Sequence, residues 1–157
     1  METFDRCLRA LSPAIQNIVT SGFYKTEPHY DKPDAVVPLC RANDYVNAVF
    51  MGETKLTPHA VLRRLLEVEQ LLGRKRPDAS CAPRPIDLDL LLYGEHIIGD
   101  ADLIVPHPRL HLRNFVLVPA CEIAPEWLHP VLGKRLDALC AVCSDRLSIA
   151  KIETTRA

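Results

Sequence analysis

Two carboxylates in the middle of an apolar run set the tightest limit on how this chain folds. Residues 81–94 read Cys81-Ala82-Pro83-Arg84-Pro85-Ile86-Asp87-Leu88-Asp89-Leu90-Leu91-Leu92-Tyr93-Gly94. The stretch from Ile86 to Tyr93 predicts a β-strand that Gly94 ends. Alternate residues of a strand share a face, so Asp87 and Asp89 project together while Ile86, Leu88 and Leu90 project to the other side. Paired carboxylates on such a strand are costly unless something positive meets them. The usual partner is Mg²⁺ with the phosphates it carries. The bland alternative is an edge strand whose aspartates face water. The apolar continuation through Leu92 and the arginine at Arg84 weigh toward a metal or phosphate role. Arg74 and Arg76 lie close by, and carboxylates beside arginines are the ingredients of phosphoryl transfer.

The rest of the chain supplies elements to build around that strand. Phe4, Cys7, Leu8 and Leu11 recur at helical spacing and predict a helix over Glu2–Leu11, an amphipathic start and not a leader peptide. Ile15–Tyr24 reads as a strand. Thr26–Asn43, with Pro28, Pro33 and Pro38, reads as a long loop of the kind that is often functional. Tyr45–Met51 reads as a second strand. Thr57-Pro58 opens a helix, with Thr57 as N-cap and Pro58 at the first helical position. Leu62, Leu65, Leu66, Glu69 and Leu72 form the expected inner face of that helix, and Gly73 stops it. A basic loop and the aspartate strand follow. One or two short helices are expected within His107–Cys121, irregular chain over Glu122–Gly133, a helix over Leu136–Cys143 and a last strand over Leu147–Ile152. This order predicts one α+β domain spanning 1–157, with helices on one side of a mainly antiparallel sheet.

Composition removes several function classes. Of 157 residues, 48% are hydrophobic and 25% charged, which suits a soluble globular domain with a real core. The net charge of −1 gives no overall field favouring nucleic acid or anionic membranes, so anion binding must come from a local cluster. No apolar run reaches membrane-spanning length. Six scattered cysteines predict free thiols in a reducing cytoplasm. Cys140 and Cys143 form a lone C-x-x-C, read as two half-buried helix residues. The absence of a Walker-type glycine loop and of G-x-G-x-x-G argues against those nucleotide-binding folds.

Two further clusters carry open readings. Arg74-Lys75-Arg76 follows a helix end, where basic residues suit the negative helix terminus and usually form only a solvated face. A basic loop that closes on triphosphate has the same sequence. In residues 106–115, His107 and His111 are four apart, as are Arg109 and Arg113, so on a helix each pair shares a face. The histidine pair has no third zinc ligand and no metalloprotease glutamate. The arginines suit either phosphate or an ordinary surface helix.

Arg84-Pro-Ile-Asp87-Leu-Asp89-Leu-Leu resembles the signature of the 6-hydroxymethyl-7,8-dihydropterin pyrophosphokinase family of folate biosynthesis. The resemblance runs from Met1 to beyond Trp127. It includes Phe23-Tyr24-Lys25-Thr26-Glu27-Pro28, Asp44-Tyr45-Val46-Asn47-Ala48, Leu72-Gly73-Arg74, and Val105-Pro106-His107-Pro108-Arg109 through Phe115 to Pro125. It implies a ferredoxin-like α/β sandwich and transfer of a diphosphoryl group from ATP to the pterin hydroxymethyl oxygen, with AMP released. It implies that Asp87 and Asp89 hold two Mg²⁺ ions and help take the hydroxyl proton. Tyr45 and Phe115 would sandwich the pterin, Asn47 would bond its polar edge, and the backbone at Thr26, Pro28 and His29 would complete recognition. Arg74 and Arg84 resemble the family's catalytic arginines on a closing loop, and Arg76, His107 and Arg113 resemble further ATP contacts.

The chain departs from that pattern in three places. Family members carry a strand of the type x-x-Ile-Ala-Leu-Gly-Ser-Asn ahead of the first helix, and this first family strand is missing here. Residues upstream of Met1, the segment Leu147–Ile152 or a partner chain would have to complete the sheet, or the protein is impaired. The loop Glu27–Asn43 is long, and Cys81 stands where a larger residue is common. The resemblance therefore implies an enzyme acting on ATP and a pterin, with a non-catalytic ligand-binding homologue as the competing reading. A ferredoxin-like nucleic-acid module fits less well, given the charge and the absence of an aromatic RNA-binding strand.

Overall fold

The computed structural model describes residues 2–27, 45–73 and 85–153. The chain gathers into two compact units, Met1–Ile18 with Met51–Pro108 and Val19–Phe50 with Arg109–Ala157. Together they contain four α-helices and short antiparallel ladders among the described residues, so the expected α+β class holds.

In the first unit, the amphipathic start becomes α1 (Glu2–Leu11), which buries Cys7 and Leu11 against α2 (Pro58–Leu71). The Thr57 hydroxyl accepts the Ala60 N–H at 3.4 Å and Pro58 occupies the first turn, as the sequence predicts. Gly73, at φ +101°, ends the helix in the left-handed region that glycine adopts without strain. The inner face of α2 is Val61, Leu65, Val68 and Glu69. Leu66, expected inside, is exposed, because the buried stripe is rotated toward Val61 and Val68. Arg64 ties the two helices by donating to the Ala10 carbonyl at 2.6 Å. Strands β1 (Gln16–Thr20) and β4 (Phe50–Glu53) pair, and β5 (Ile98–Gly99) and β6 (Ile104–Val105) form a small antiparallel hairpin.

In the second unit, β2 (Tyr24–Thr26) lies between β3 (Tyr45–Asn47) and β9 (Ile149–Lys151), antiparallel to both. Helix α3 (Asn114–Ile123) packs on β2 and β3, and α4 (Leu136–Ala141) packs on α3. The core between them is Tyr24, Leu110, Val116, Leu117, Ala120, Leu136 and Leu139.

Several predicted elements come out differently. The strands expected over Ile15–Tyr24 and Tyr45–Met51 each break in two. Ser21 explains the break: its N–H donates to the Val49 carbonyl at 2.8 Å, while its hydroxyl accepts the Val49 N–H at 3.0 Å. A side chain thus replaces a ladder carbonyl between the β1–β4 and β2–β3 pairings. Thr26 belongs to β2 and not to the long loop, most of which lies outside the described residues. Residues 107–113 are not one helix: a 3₁₀ turn (Leu110–Leu112) precedes α3, so the His107/His111 and Arg109/Arg113 pairs do not share an α-helical face. The irregular stretch Glu122–Gly133 contains strand β7 (Leu128–His129), paired with β8 (Lys134–Arg135). The strand expected over Leu147–Ile152 forms only as β9 (Ile149–Lys151) and is taken up beside β2, where the Ile152 N–H also bonds the Phe23 carbonyl at 2.8 Å.

The largest difference concerns Ile86–Tyr93, which joins no ladder among the described residues. Exposure still alternates along it, with Asp87 and Asp89 exposed and Ile86, Leu88 and Leu90 half-buried. Its backbone bonds go elsewhere. The Leu88 N–H donates to Glu69 Oε1 at 2.7 Å, and the Leu91 carbonyl accepts the His107 N–H at 2.8 Å.

Candidate active site

Cross-strand register brings the expected pterin residues of the second unit onto one face. Tyr24 pairs with Asn47, and Thr26 with Tyr45. Residues directly opposite one another in a ladder share a face, as do alternate residues of each strand, so these four side chains point the same way. The Asn47 amide donates to the Thr26 hydroxyl at 2.7 Å, which fixes the amide's orientation. Thr26 is buried, Asn47 is half-buried and Tyr45 is 45% exposed, so one ring is left open beside a fixed polar group.

Helix α3 covers part of that face. The Tyr24 hydroxyl donates to Glu122 Oε2 at 2.8 Å, and burial followed by this carboxylate pushes Tyr24 up to about 12. Glu122 is held below the usual carboxylate range, first by the hydrogen bond from Lys151. At the other end of α3, Arg113 is the N-cap and its guanidinium lies 5.3 Å from the centre of the Phe115 ring, a cation–π contact. Asn114 is anchored by Asp145, which accepts its N–H at 3.0 Å, and its side-chain amide donates to the Leu147 carbonyl at 2.8 Å. Phe115 therefore lies in the first turn of a helix fixed at both ends.

The first unit carries the expected cation ligands. Asp87 and Asp89 are both exposed and alternate with half-buried apolar residues, so they share the outer side of their segment. Their donors are carboxylate oxygens, ionised at neutral pH and suited to a hard divalent cation. The residues present thus fit Mg²⁺. His107, half-buried, follows the cis Val105–Pro106 bond and is tied to this segment through Leu91. Another metal-ligating group in this unit was not anticipated from sequence. His59 Nε2, half-buried, lies 3.0 Å from Asp100 and 3.7 Å from Asp102, two exposed carboxylates at the β5–β6 turn.

Five expected site residues, Pro28, His29, Arg74, Arg76 and Arg84, lie outside the described residues, as does Cys81. Sequence reasoning also passed over Glu69 and Glu122. Glu69 is fully buried on α2 and holds the aspartate segment by the Leu88 N–H. The available signal is a glutamate on the apolar face of a helix pattern, which spacing alone assigns to the inner stripe. For Glu122, at the end of an apolar helix, only the fold reveals its partners.

Residues 1–125 match the family model for 7,8-dihydro-6-hydroxymethylpterin-pyrophosphokinase (HPPK). The chain belongs to the HPPK family. Among HPPK relatives, the 2-amino-4-hydroxy-6-hydroxymethyldihydropteridine pyrophosphokinase of Haemophilus influenzae is 38% identical over 134 residues, covering 83% of this chain and 77% of that one. The pyrophosphokinase of the same name from Synechocystis is 43% identical over 93 residues, 59% of this chain and 47% of that one. The folate synthesis bifunctional protein of Arabidopsis thaliana is 36% identical over 126 residues, 78% of this chain and 24% of that one. The chain thus spans about half of the Synechocystis protein and about a quarter of the Arabidopsis one. All the HPPK site residues named above fall within the matched segment, whereas β7, β8, α4 and β9 lie beyond it.

Proposed function

We propose that this chain transfers the diphosphoryl group of ATP to the hydroxymethyl oxygen of 6-hydroxymethyl-7,8-dihydropterin in folate synthesis, releasing AMP. The hydroxyl oxygen attacks the β-phosphorus, the bond from that phosphorus to the α–β bridging oxygen breaks, and the hydroxyl proton is lost. HPPK membership and the relatives' names support the reaction class. The observation that carries the reading to residues is the shared exposed side of Asp87 and Asp89 within the family-matched segment.

In this reading Asp87 and Asp89 hold two Mg²⁺ ions, which when bound neutralise triphosphate charge and align the phosphates. The two carboxylates also help accept the hydroxyl proton. Tyr45 and Phe115 take the flat pterin between them, since offset stacking favours planar rings. Asn47, oriented by Thr26, bonds the pterin's polar edge, with the backbone at Thr26, Pro28 and His29 completing recognition. Arg74, Arg76, Arg84, His107 and Arg113 contact ATP, and Arg74 and Arg84 stabilise the transferring group. Arginine suits this because its planar donors grip two phosphate oxygens at once. Residues 1–157 act in this reading as one domain in a reducing cytoplasm, which the scattered cysteines support.

The test is AMP formation from ATP and Mg²⁺ with and without the pterin. Pterin-dependent AMP supports the reading. Pterin binding without AMP from a cooperatively folded sample supports the non-catalytic homologue.

A further inference from the structure

The tail beyond the family-matched residues reaches the pterin face through one carboxylate. Glu122, in the last turn of α3, accepts the Gly22 N–H at 3.1 Å, the Tyr24 hydroxyl at 2.8 Å and the Lys151 ammonium at 2.8 Å. Lys151 arrives there by register: β9 sets it directly opposite Tyr24, and its ammonium also lies 5.8 Å from the centre of the Tyr24 ring. Gly22 makes room for it. A Cβ at that position would stand 2.5 Å from Lys151 Cε and 3.5 Å from Glu122 Oε2.

One row across the sheet therefore reads Lys151, Tyr24, Asn47, and the next reads Ile149, Thr26, Tyr45. Glu122 docks α3 onto the first row. Phe115 precedes Glu122 by seven residues on the same helix, close to two turns at about 3.6 residues per turn, so the two share a helix face. The face that Glu122 presses onto Tyr24 is then the face that carries Phe115. The carboxylate sets the height and rotation of α3 over β2 and β3, and through them, on the pterin reading, the slot between Phe115 and Tyr45.

We propose that Glu122 is a positioning residue for the pterin subsite, and that Lys151 of β9 holds it in place. This rests on the pterin reading given above. Glu122 acts through α3 and does not touch substrate. Charge-assisted bonds of this kind are stronger than neutral ones, so their loss is felt at the slot.

The experiment measures two affinities by fluorescence titration: a non-hydrolysable ATP analogue with Mg²⁺, and 6-hydroxymethylpterin at saturating analogue. Wild type is compared with Glu122→Ala, Glu122→Gln, Lys151→Met and Tyr24→Phe, each with its melting temperature. Glu122→Ala and Lys151→Met are expected to weaken pterin binding about tenfold, which corresponds to about 1.4 kcal/mol, and to leave analogue affinity within about twofold. Glu122→Gln keeps acceptors for Gly22 and Tyr24 and falls between Glu122→Ala and wild type. If Glu122→Ala does not fold, Lys151→Met alone decides. Unchanged pterin affinity in variants of a pterin-binding wild type overturns the inference, as does equal loss of both ligands. A wild type that binds no pterin overturns the functional reading first, and this inference with it.

Discussion

The β3–β2–β9 sheet and the 86–92 segment hold their residues by opposite means. In the sheet, two ladders set register, Asn47 is fixed by Thr26, and Glu122 gathers one donor from β2, one from β9 and the Gly22 N–H just ahead of β2. In the segment, no ladder forms among the described residues; the side chain of Glu69 and the backbone of His107 take its bonds. The difference suits the two tasks proposed for them. Recognising a flat heterocycle needs donors whose direction is set in advance. Holding hydrated cations needs carboxylates that stay in water, and Asp87 and Asp89 are exposed.

The largest effect should come from the segment's outer side. Asp87→Ala or Asp89→Ala is expected to lower turnover by about 10²–10³-fold, as for loss of a group that stabilises transition-state charge. The melting temperature should hardly move, because both side chains are exposed. Variants that keep near-normal rates would remove the metal assignment. The inner side should behave the other way. Glu69→Ala leaves the Leu88 N–H without its acceptor and should cost about 1–3 kcal/mol in urea unfolding. Glu69→Gln should cost less, since it retains an acceptor. Equal stability of Glu69→Ala and wild type would mean that the segment is held by something else.

On the sheet, Asn47→Ala should raise the KM for pterin by roughly tenfold, in line with a hydrogen bond of about 1–1.5 kcal/mol, with the KM for ATP little changed. A parallel rise in both would contradict the division of labour between the two regions. The smallest effect is a pH response outside either site. His129, buried with the His111 ring 5.9 Å away, has its pKa lowered, first by burial and then by that neighbour. A lowered histidine pKa favours the neutral ring in the folded state. Its contribution is fully present above the unfolded value near 6.5 and declines as pH falls below it. Melting temperature should therefore drop between pH 7.5 and 5.5, and His129→Gln should flatten that slope.

Much of this was legible in the sequence for local reasons. The Thr57-Pro58 start, the Gly73 stop and the alternation around Asp87 depend on neighbouring residues alone. The side-by-side placement of Tyr45, Asn47 and Thr26 was reached through family resemblance, because register between distant strands is not a local property. The breaks at Ser21 and Val49 were missed, since a hydroxyl replacing a ladder carbonyl leaves no periodic trace. The β7–β8 hairpin was missed because each strand is only two residues long. The absence of a ladder along 86–92 was not foreseen either. Hydrophobic alternation reports which side faces inward and says nothing about which strand lies alongside.

The central claim is that the chain moves two phosphates from ATP as one unit onto the pterin. Incubation with Mg²⁺, ATP labelled at the β-phosphorus and 6-hydroxymethyl-7,8-dihydropterin tests it directly. The account predicts labelled pterin diphosphate and unlabelled AMP in equal amounts, both formed about 10²–10³-fold more slowly in Asp87→Ala. Label remaining in ADP, or in ATP alone with a folded and ligand-bound protein, would contradict it.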